Sequence, residues 1–233
     1  MDSGKFYAMA TWYNATVSAS PYQMYVIVEN GLDSYTSALL NKNEYYLTMI
    51  SRLHNFDGSY TEPTSVYYVE YSDPELVQMS GPLVTNAQPM NYIDARMAVS
   101  QFNMRAGSGR HAMVASPIIV LPVEPVPALQ HHRLVHESPT NVFSDGVDVK
   151  YVKIFEYVKG ARIKGDGMIG VSLISNTGRT FMYKQESVNG EFIVPYSTNA
   201  NPYDVMAISQ YHIIGTEKYY AVTEEAVMNG LSI

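Results

Sequence analysis

Along the first half of the chain apolar positions fall in both helical and strand spacing, whereas the second half is almost wholly of strand spacing. The opening stretch Asp2-Ser3-Gly4-Lys5-Phe6-Tyr7-Ala8-Met9-Ala10-Thr11-Trp12 predicts a helix capped by Asp2, whose carboxylate can accept from the free N–H groups of the first turn. Gln23 to Val28 is rich in β-branched and aromatic residues and is closed by Asn30-Gly31, which predicts a strand and a turn. Leu39, Leu40, Tyr46, Leu47, Ile50 and Leu53 recur at helical spacing and predict a helix over 34–54, stopped by the turn composition of Phe56-Asp57-Gly58-Ser59. Ser65 to Tyr71 alternates as a strand until Asp73-Pro74 breaks it. Asn91 predicts the cap of a helix to about Asn103, with Ile93, Met97 and Ala98 turned inward and Arg105 near its end. Met113 to Leu121 is an apolar, strand-like run, and Pro122, Pro125 and Pro127 hold the chain extended beyond it.

The texture changes across Ser138-Pro139-Thr140-Asn141 through Asp145-Gly146. Short alternating segments follow: Val149 to Tyr157, Met168 to Ser175, Arg179 to Glu186, Glu191 to Val194, Val205 to Ile213 and Tyr219 to Val222. Turn signals at Lys164-Gly165-Asp166-Gly167, Asn176-Thr177-Gly178 and Val188-Asn189-Gly190 separate several of them. The expectation is an α+β protein: a mixed α/β core domain over 1–140, then an all-β sandwich or barrel-like peripheral domain over 141–233. The second domain shows no cluster of ionisable residues along the sequence, which predicts that it supports, orients or binds.

Composition narrows the class. With 233 residues, 46% hydrophobic and 16% charged, the chain is long enough for one large or two small cores and is not of disordered type. Its net charge of −7 and the absence of any Lys/Arg cluster argue against nucleic acid as a partner. There is no cysteine, so disulfides and thiolate metal sites are excluded. No run of about 18 apolar residues occurs, and the start has neither the basic region nor the apolar core of a secretion signal. Tyrosine is frequent, at 20 residues, with clusters from Val66 to Tyr71 and Lys218 to Tyr220; packing in half-buried strands is the plainer use and contact with sugars or proteins the other.

Few positions carry candidate chemistry. Asp2, Lys5 and Met9 share one face of the predicted first helix, so a carboxylate, an ammonium and a soft apolar tip are presented together. That is either a small recognition pocket or a capped amphipathic helix with a surface ion pair and a core methionine. Asn14-Ala15-Thr16 is an acceptor triplet for N-glycosylation if the chain faces the cell exterior. His54 and Asp57 could exchange protons, but nothing nearby supplies a nucleophile, and a helix C-terminus followed by a tight turn accounts for both. His131, His132 and His136 are close enough in sequence to suggest zinc, yet the segment is not helical in pattern and only Glu137 stands near as an acidic partner, so no metal is expected. Gly107-Ser108-Gly109 lacks the spacing of a phosphate-binding loop and reads as a turn.

Asp2-x-x-Lys5-x-x-x-Met9 followed by Trp12 resembles the DK motif of archaeal oligosaccharyltransferases of the AglB family. The resemblance continues through Arg52-Leu53-His54-Asn55-Phe56-Asp57-Gly58-Ser59, Arg133-Leu134-Val135-His136-Glu137-Ser138, and Val152-Lys153-Ile154-Phe155-Glu156-Tyr157-Val158-Lys159-Gly160-Ala161, in the order of that family's C-terminal globular region. It implies the soluble part of an enzyme on the outer face of the cell membrane that transfers a lipid-linked oligosaccharide to asparagine in Asn-x-Ser/Thr. It also implies that Asp2, Lys5 and Met9 help to read the Ser or Thr two residues after the acceptor asparagine, and that Mn2+ or Mg2+ and the lipid-linked glycan bind a transmembrane domain outside this sequence. The family's Trp-Trp-Asp-Tyr-Gly motif is absent, Trp12 being the only tryptophan. The expectation is therefore a piece of a larger membrane enzyme, inactive alone, with no catalytic residue of its own and with fraying of the first helix once its upstream neighbours are missing. The alternative is a secreted β-rich module that binds carbohydrate or a cell surface without catalysis.

Overall fold

The computed structural model describes residues 21–32, 34–142 and 148–233. The chain divides into two compact units: residues up to Thr48 with Glu62–Pro125, and Met49–Thr61 with Val126–Ile233. The backbone thus leaves the first unit after Thr48, contributes a short segment to the second, returns, and leaves for good after Pro125. Asp2, Lys5, Met9, Trp12 and Asn14 lie outside the described residues, as does the expected first helix.

The first unit is built on a five-stranded mixed sheet in the order β2-β1-β4-β3-β5. Its strands are β1 (Gln23–Glu29), β2 (Tyr35–Asn41), β3 (Ser65–Ser72), β4 (Leu83–Asn91) and β5 (Arg110–Ala115). β1 and β2 form an antiparallel hairpin registered from Gln23↔Asn41 to Glu29↔Tyr35, closed by Asn30 N–H donating to Ser34 O. The helix predicted over 34–54 is therefore corrected: its first third is strand β2, and only α1 (Asn43–Tyr46) and α2 (Met49–His54) are helical. Seven consecutive residues, Tyr35-Thr36-Ser37-Ala38-Leu39-Leu40-Asn41, are in register with β1, which takes up the backbone groups of alternate residues; the run's Tyr and Thr favour strand, and together these outweigh a helical spacing carried mainly by later residues.

A second correction concerns β4, which no apolar alternation predicted. It pairs with β3 along its whole length, with a bulge between Glu70 and Tyr71, but with β1 only at Ile27↔Leu83 and Val28↔Val84. Pro89 therefore sits where β4 has one partner strand, which is where a residue without an N–H is tolerated. After α3 (Pro74–Val77), the long helix α4 (Tyr92–Arg105) follows β4 directly; the Asn91 side chain accepts from Asp94 N–H as the predicted cap. Its buried face matches the predicted one only at Ala98. Ile93 and Met97 are exposed, and Ala95 is fully buried with Tyr92, Ala98, Val99 and Phe102 against Val66, Tyr68 and Ala112 of the sheet. The opposite sheet face carries Val26, Leu40, Val69, Val84 and Ala115. The strand expected over 113–121 ends at Ala115 in β5.

The second unit is β-rich. β9 (Met168–Ile174) pairs antiparallel with β10 (Thr180–Glu186) on one side, and with β12 (Met206–Ala207) and β13 (Tyr211–Ile213) on the other. β13 continues to β14 (Tyr219–Tyr220), while β8 (Ala161–Lys164) pairs with β11 (Glu191–Val194) and β6 (His132–Glu137) with β7 (Lys153–Tyr157). One core joins them, centred on Ile163, Ile169, Leu173, Tyr183, Phe192 and Tyr211. α5 (Glu224–Asn229), capped by the Thr223 side chain accepting from Ala226 N–H, adds Ala226 and Val227 to this core. An α+β unit followed by a β-rich unit is thus the architecture. The texture change at Ser138 lies later than the division at Pro125–Val126 because β6, before it in sequence, is hydrogen-bonded to β7.

Buried tyrosines mark this core. Tyr196 OH accepts from Leu134 N–H at 2.8 Å, Tyr211 OH accepts from Tyr196 N–H at 3.1 Å, and Tyr183 OH donates to Leu129 O at 3.3 Å. Each ring buries apolar area and its hydroxyl satisfies a backbone group that would otherwise be orphaned. Burial pushes all three phenols above their ordinary range, so they remain neutral hydrogen-bonding partners.

Candidate functional site

Within the second unit the segment 49–61 places Asp57 in a buried ionic cluster. α2 ends at His54, and the turn predicted at Phe56–Ser59 forms with Asp57 and Gly58 both at positive φ, +54° and +71°. This turn aims the Asp57 carboxylate at two cations: Arg179 Nη1 donates to its Oδ2 at 2.8 Å and Lys153 Nζ donates to its Oδ1 at 2.7 Å. Lys153 also donates to His54 O at 2.8 Å. Arg179 reaches from the start of β10 and turns its remaining donors to Glu137, with Nη2 to Oε2 at 2.6 Å. Glu137, at the end of β6 and fully buried, also accepts from Ser175 Oγ at 2.6 Å and Thr177 Oγ1 at 2.7 Å. The Arg179 guanidinium lies 4.6 Å from the Phe181 ring centroid.

Burial alone would raise the Glu137 carboxyl. The donors from Arg179, Ser175 and Thr177 outweigh it and hold the group down at about 2. The same exchange keeps Arg179 above its ordinary value: burial opposes its charge, and bonds to Glu137 and Asp57 more than restore it. Asp57 and Glu137 face Lys153 and Arg179, and the half-exposed Asp148, 3.9 Å from Arg179 Nε, is itself paired with Lys150 at 2.7 Å, so carboxylates and cations balance. The Asp57 and Glu137 oxygens are saturated by protein donors, which leaves neither a free nucleophile nor an open ligand position there. The cluster's geometry fastens the 49–61 segment to strands of the same unit.

A second buried arginine does comparable work at the other end of β6. Arg133 donates to Glu156 Oε2 at 2.7 Å and to both oxygens of Glu224, at 2.6 and 2.8 Å, and it faces the Tyr203 ring at 5.3 Å. This pins α5 to the β6–β7 pair. Here too bonds to the two carboxylates overcome burial and hold the guanidinium charged. The second unit therefore does contain ionisable clusters, contrary to the sequence expectation, because their members are far apart along the chain.

The three histidines do not converge. His131 Nδ1 lies 3.1 Å from Val158 O and the ring stacks on Tyr157, while His132 meets the same tyrosine edge-on. His136 is across the bulge from His132, paired to Ile154. Burial, with help from His131 and Arg52, lowers His132 below its ordinary value, which disfavours the cation. Among the described residues no three His, Asp or Glu side chains are placed to hold a metal. The donor set needed for a catalytic divalent ion does not fit any described cluster.

In the first unit a cleft of about 540 Å³ opens between α4 and the sheet. Met24, Leu40, Val99 and Val123 supply apolar walls. Its polar rim is Arg96 paired with Glu124 at 2.5 Å, and Asn43 Nδ2 donating to Glu124 Oε2 at 3.1 Å. The cleft can take an apolar side chain, but no base is aimed at a nucleophile there.

The charged members of the two clusters were missed as a group although most lie in segments singled out above. Asp57 is in 52–59, Arg133 and Glu137 in 133–138, and Lys153 and Glu156 in 152–161. A charge within an otherwise apolar strand is the available signal; the partner is not legible from it.

Comparison with known proteins gives the relationship. Residues 160–233 match the family described as the archaeal glycosylation protein B long peripheral domain. Dolichyl-phosphooligosaccharide-protein glycotransferase 3 of Archaeoglobus fulgidus is 28% identical over 259 aligned residues, covering 99% of this chain and 29% of that protein. The chain thus spans under a third of the length of the curated relative it matches. Two solved structures are also similar. The A. fulgidus oligosaccharyltransferase complexed with Zn and sulfate is 24% identical, with a TM-score of 0.46, covering 99% of this chain and 31% of that one. AglB from A. fulgidus with an inhibitory peptide and a dolichol-phosphate is 22% identical, with a TM-score of 0.45, covering 98% and 28%.

Proposed function

From a chain that is an AglB relative of C-terminal, peripheral-domain type, with the archaeal glycosylation protein B long peripheral domain at 160–233, we propose the extracytoplasmic part of an archaeal oligosaccharyltransferase. The observation that carries the reading is the joint match: the peripheral-domain family over 160–233, and a dolichyl-phosphooligosaccharide-protein glycotransferase along 99% of the chain. In this reading the enzyme transfers a lipid-linked oligosaccharide to the asparagine of an Asn-x-Ser/Thr sequon, and the part described here faces the acceptor polypeptide.

An amide nitrogen is a poor nucleophile, so glycan transfer to asparagine needs electrophilic activation and carboxylates that engage the amide. The described residues offer no such set, and in this proposal the divalent ion and the lipid-linked glycan are held elsewhere in the enzyme. The task of this chain is selection. A desolvated pocket that hydrogen-bonds the +2 hydroxyl rejects acceptors lacking it, because its own polar groups would be left unpaired. Asp2, Lys5 and Met9 are the residues assigned to that pocket, on their match to the DK motif. The chain alone should transfer no glycan. No helix among the described residues is long and apolar enough to cross a membrane.

The test is glycan transfer to an Asn-x-Thr peptide by the full-length enzyme from the same source, comparing wild type with Lys5→Ala and Met9→Ala. A loss of transfer of tenfold or more with folding unchanged supports the assignment. Unchanged transfer returns Asp2, Lys5 and Met9 to a capped helix without a role in acceptor choice.

A further inference from the structure

Arg52, Arg96, Arg133, Arg162 and Arg179, five of the seven arginines in the chain, have their guanidinium groups engaged. Arg96, Arg133, Arg162 and Arg179 bind carboxylates, and Arg52 donates to the Pro127 and Ala128 carbonyls. Arg105 and Arg110 are different: among the described residues neither meets a carboxylate, and both line one cleft of about 460 Å³ in the first unit. They are brought together by the turn that ends α4. Ala106 caps the helix through its N–H to Phe102 O, and Arg110 N–H donates to Gly107 O at 3.3 Å as β5 begins. What holds each cation is weak. Arg105 sits in the last turn of α4, where the helix dipole favours it, and Arg110 lies 5.8 Å from the Phe102 ring centroid. Neither interaction consumes the planar fork of N–H donors, and two such forks beside one cavity match the oxygens of a tetrahedral anion.

The remaining walls agree with this. Gln88 and Gln101 also line the cleft and carry amide donors, and the one carboxylate in the lining, Glu70, has its Oε1 engaged by Tyr68 OH at 3.0 Å and Asn86 Nδ2 at 3.1 Å. Burial together with Glu70 pushes the Tyr68 phenol up to about 12, so it stays protonated and keeps donating to that carboxylate at neutral pH. Arg105 and Arg110 against Glu70 leave the lining one net positive charge, in a chain whose own net charge is −7.

We propose that this cleft is a binding site for a phosphate-bearing ligand, held by Arg105 and Arg110 with the Gln88 and Gln101 amides. The phosphate can be that of a soluble compound or of a lipid headgroup, and the site stands whether or not the chain serves glycan transfer. Isothermal titration of the full chain with inorganic pyrophosphate at low ionic strength is the first arm. Binding is expected, weakened roughly tenfold by Arg105→Gln or Arg110→Gln, as for loss of one charge-assisted pair, and abolished in the double variant. Arg162→Gln, which removes a partnered arginine in the other unit, should leave it unchanged. Sedimentation with phosphatidylcholine vesicles, with and without phosphatidic acid, is the second arm. Binding that needs phosphatidic acid and is lost in the double variant identifies a lipid headgroup; pyrophosphate binding without vesicle binding identifies a soluble phosphate. No pyrophosphate binding by wild type, or equal binding by a folded double variant, overturns the site.

Discussion

Asp57 shows how much a single residue's meaning depends on partners distant in sequence. By itself it is the aspartate of a turn, and it does form that turn. In the folded chain it accepts from Lys153 and Arg179, 96 and 122 residues away. Glu137 and Arg179 likewise meet across 42 residues, and a strand pattern contains nothing that pairs them. Because these groups are buried, removing one leaves the others charged without compensation, a far larger effect than loss of a surface ion pair. Arg179→Gln is therefore expected to lower the stability of the chain by about 3–5 kcal/mol, read as a shift in urea midpoint. A change below about 1 kcal/mol would show that the cluster is not desolvated as described. The AglB resemblance singles out Asp2, Lys5 and Met9 as candidates, which lie outside the described residues, whereas Glu137, at the end of β6, and Arg179, just before β10, have no sequence signature beyond being charges at the ends of apolar strands.

Elements with a local chemical marker were readable. Asn91 announced the start of α4, Asn30-Gly31 announced the end of β1 and the turn after it, and the Gly-containing turns around β9, β10 and β11 announced those strands. Elements decided by pairing were not. β2 carries a partial helical spacing and is strand because β1 needs its hydrogen bonds; β4 has mostly exposed positions and a proline, and is strand because β3 pairs with it throughout. α5 was overlooked although Thr223, two glutamates in its first turn and Gly230 after its end are the marks of a short helix. The Asn91 cap is open to direct test. Asn91→Ala removes the acceptor for Asp94 N–H, and also the contact of its amide with the Asp94 carboxylate, at an exposed site. A loss of about 1 kcal/mol is expected by thermal or urea unfolding; no loss would mean that packing of Ala95 and Phe102 alone sets the helix start.

For the molecule as a whole, the carboxylates set the response to acid. Glu137 is held at about 2 against an ordinary 4.5, and Glu224 is also lowered, chiefly by its bonds to Arg133. A carboxylate lowered in the folded state contributes stability that is complete above about 4.5 and is lost as pH falls toward 2. For Glu137 the displacement is worth roughly 3 kcal/mol. Unfolding midpoints should thus drop between pH 5 and 2, and Glu137→Gln, though less stable at neutral pH, should show a shallower drop; parallel profiles for the two proteins would refute the assignment. Composition, cap and turn residues, and spacing along the chain together determined an α+β part followed by a β-rich part, because hydrogen-bonding and steric preferences act over a few residues. Motif order carried the AglB relationship as well. Tertiary structure alone decided the strand order β2-β1-β4-β3-β5, the inward face of α4, the 49–61 segment as part of the second unit, the buried clusters of Asp57 and Arg133, and the placing of Arg105 and Arg110 on one cleft. In each of these the deciding energy is the pairing or desolvation of groups remote in sequence or turned together by a fold-specific bend, and neither is written in local pattern.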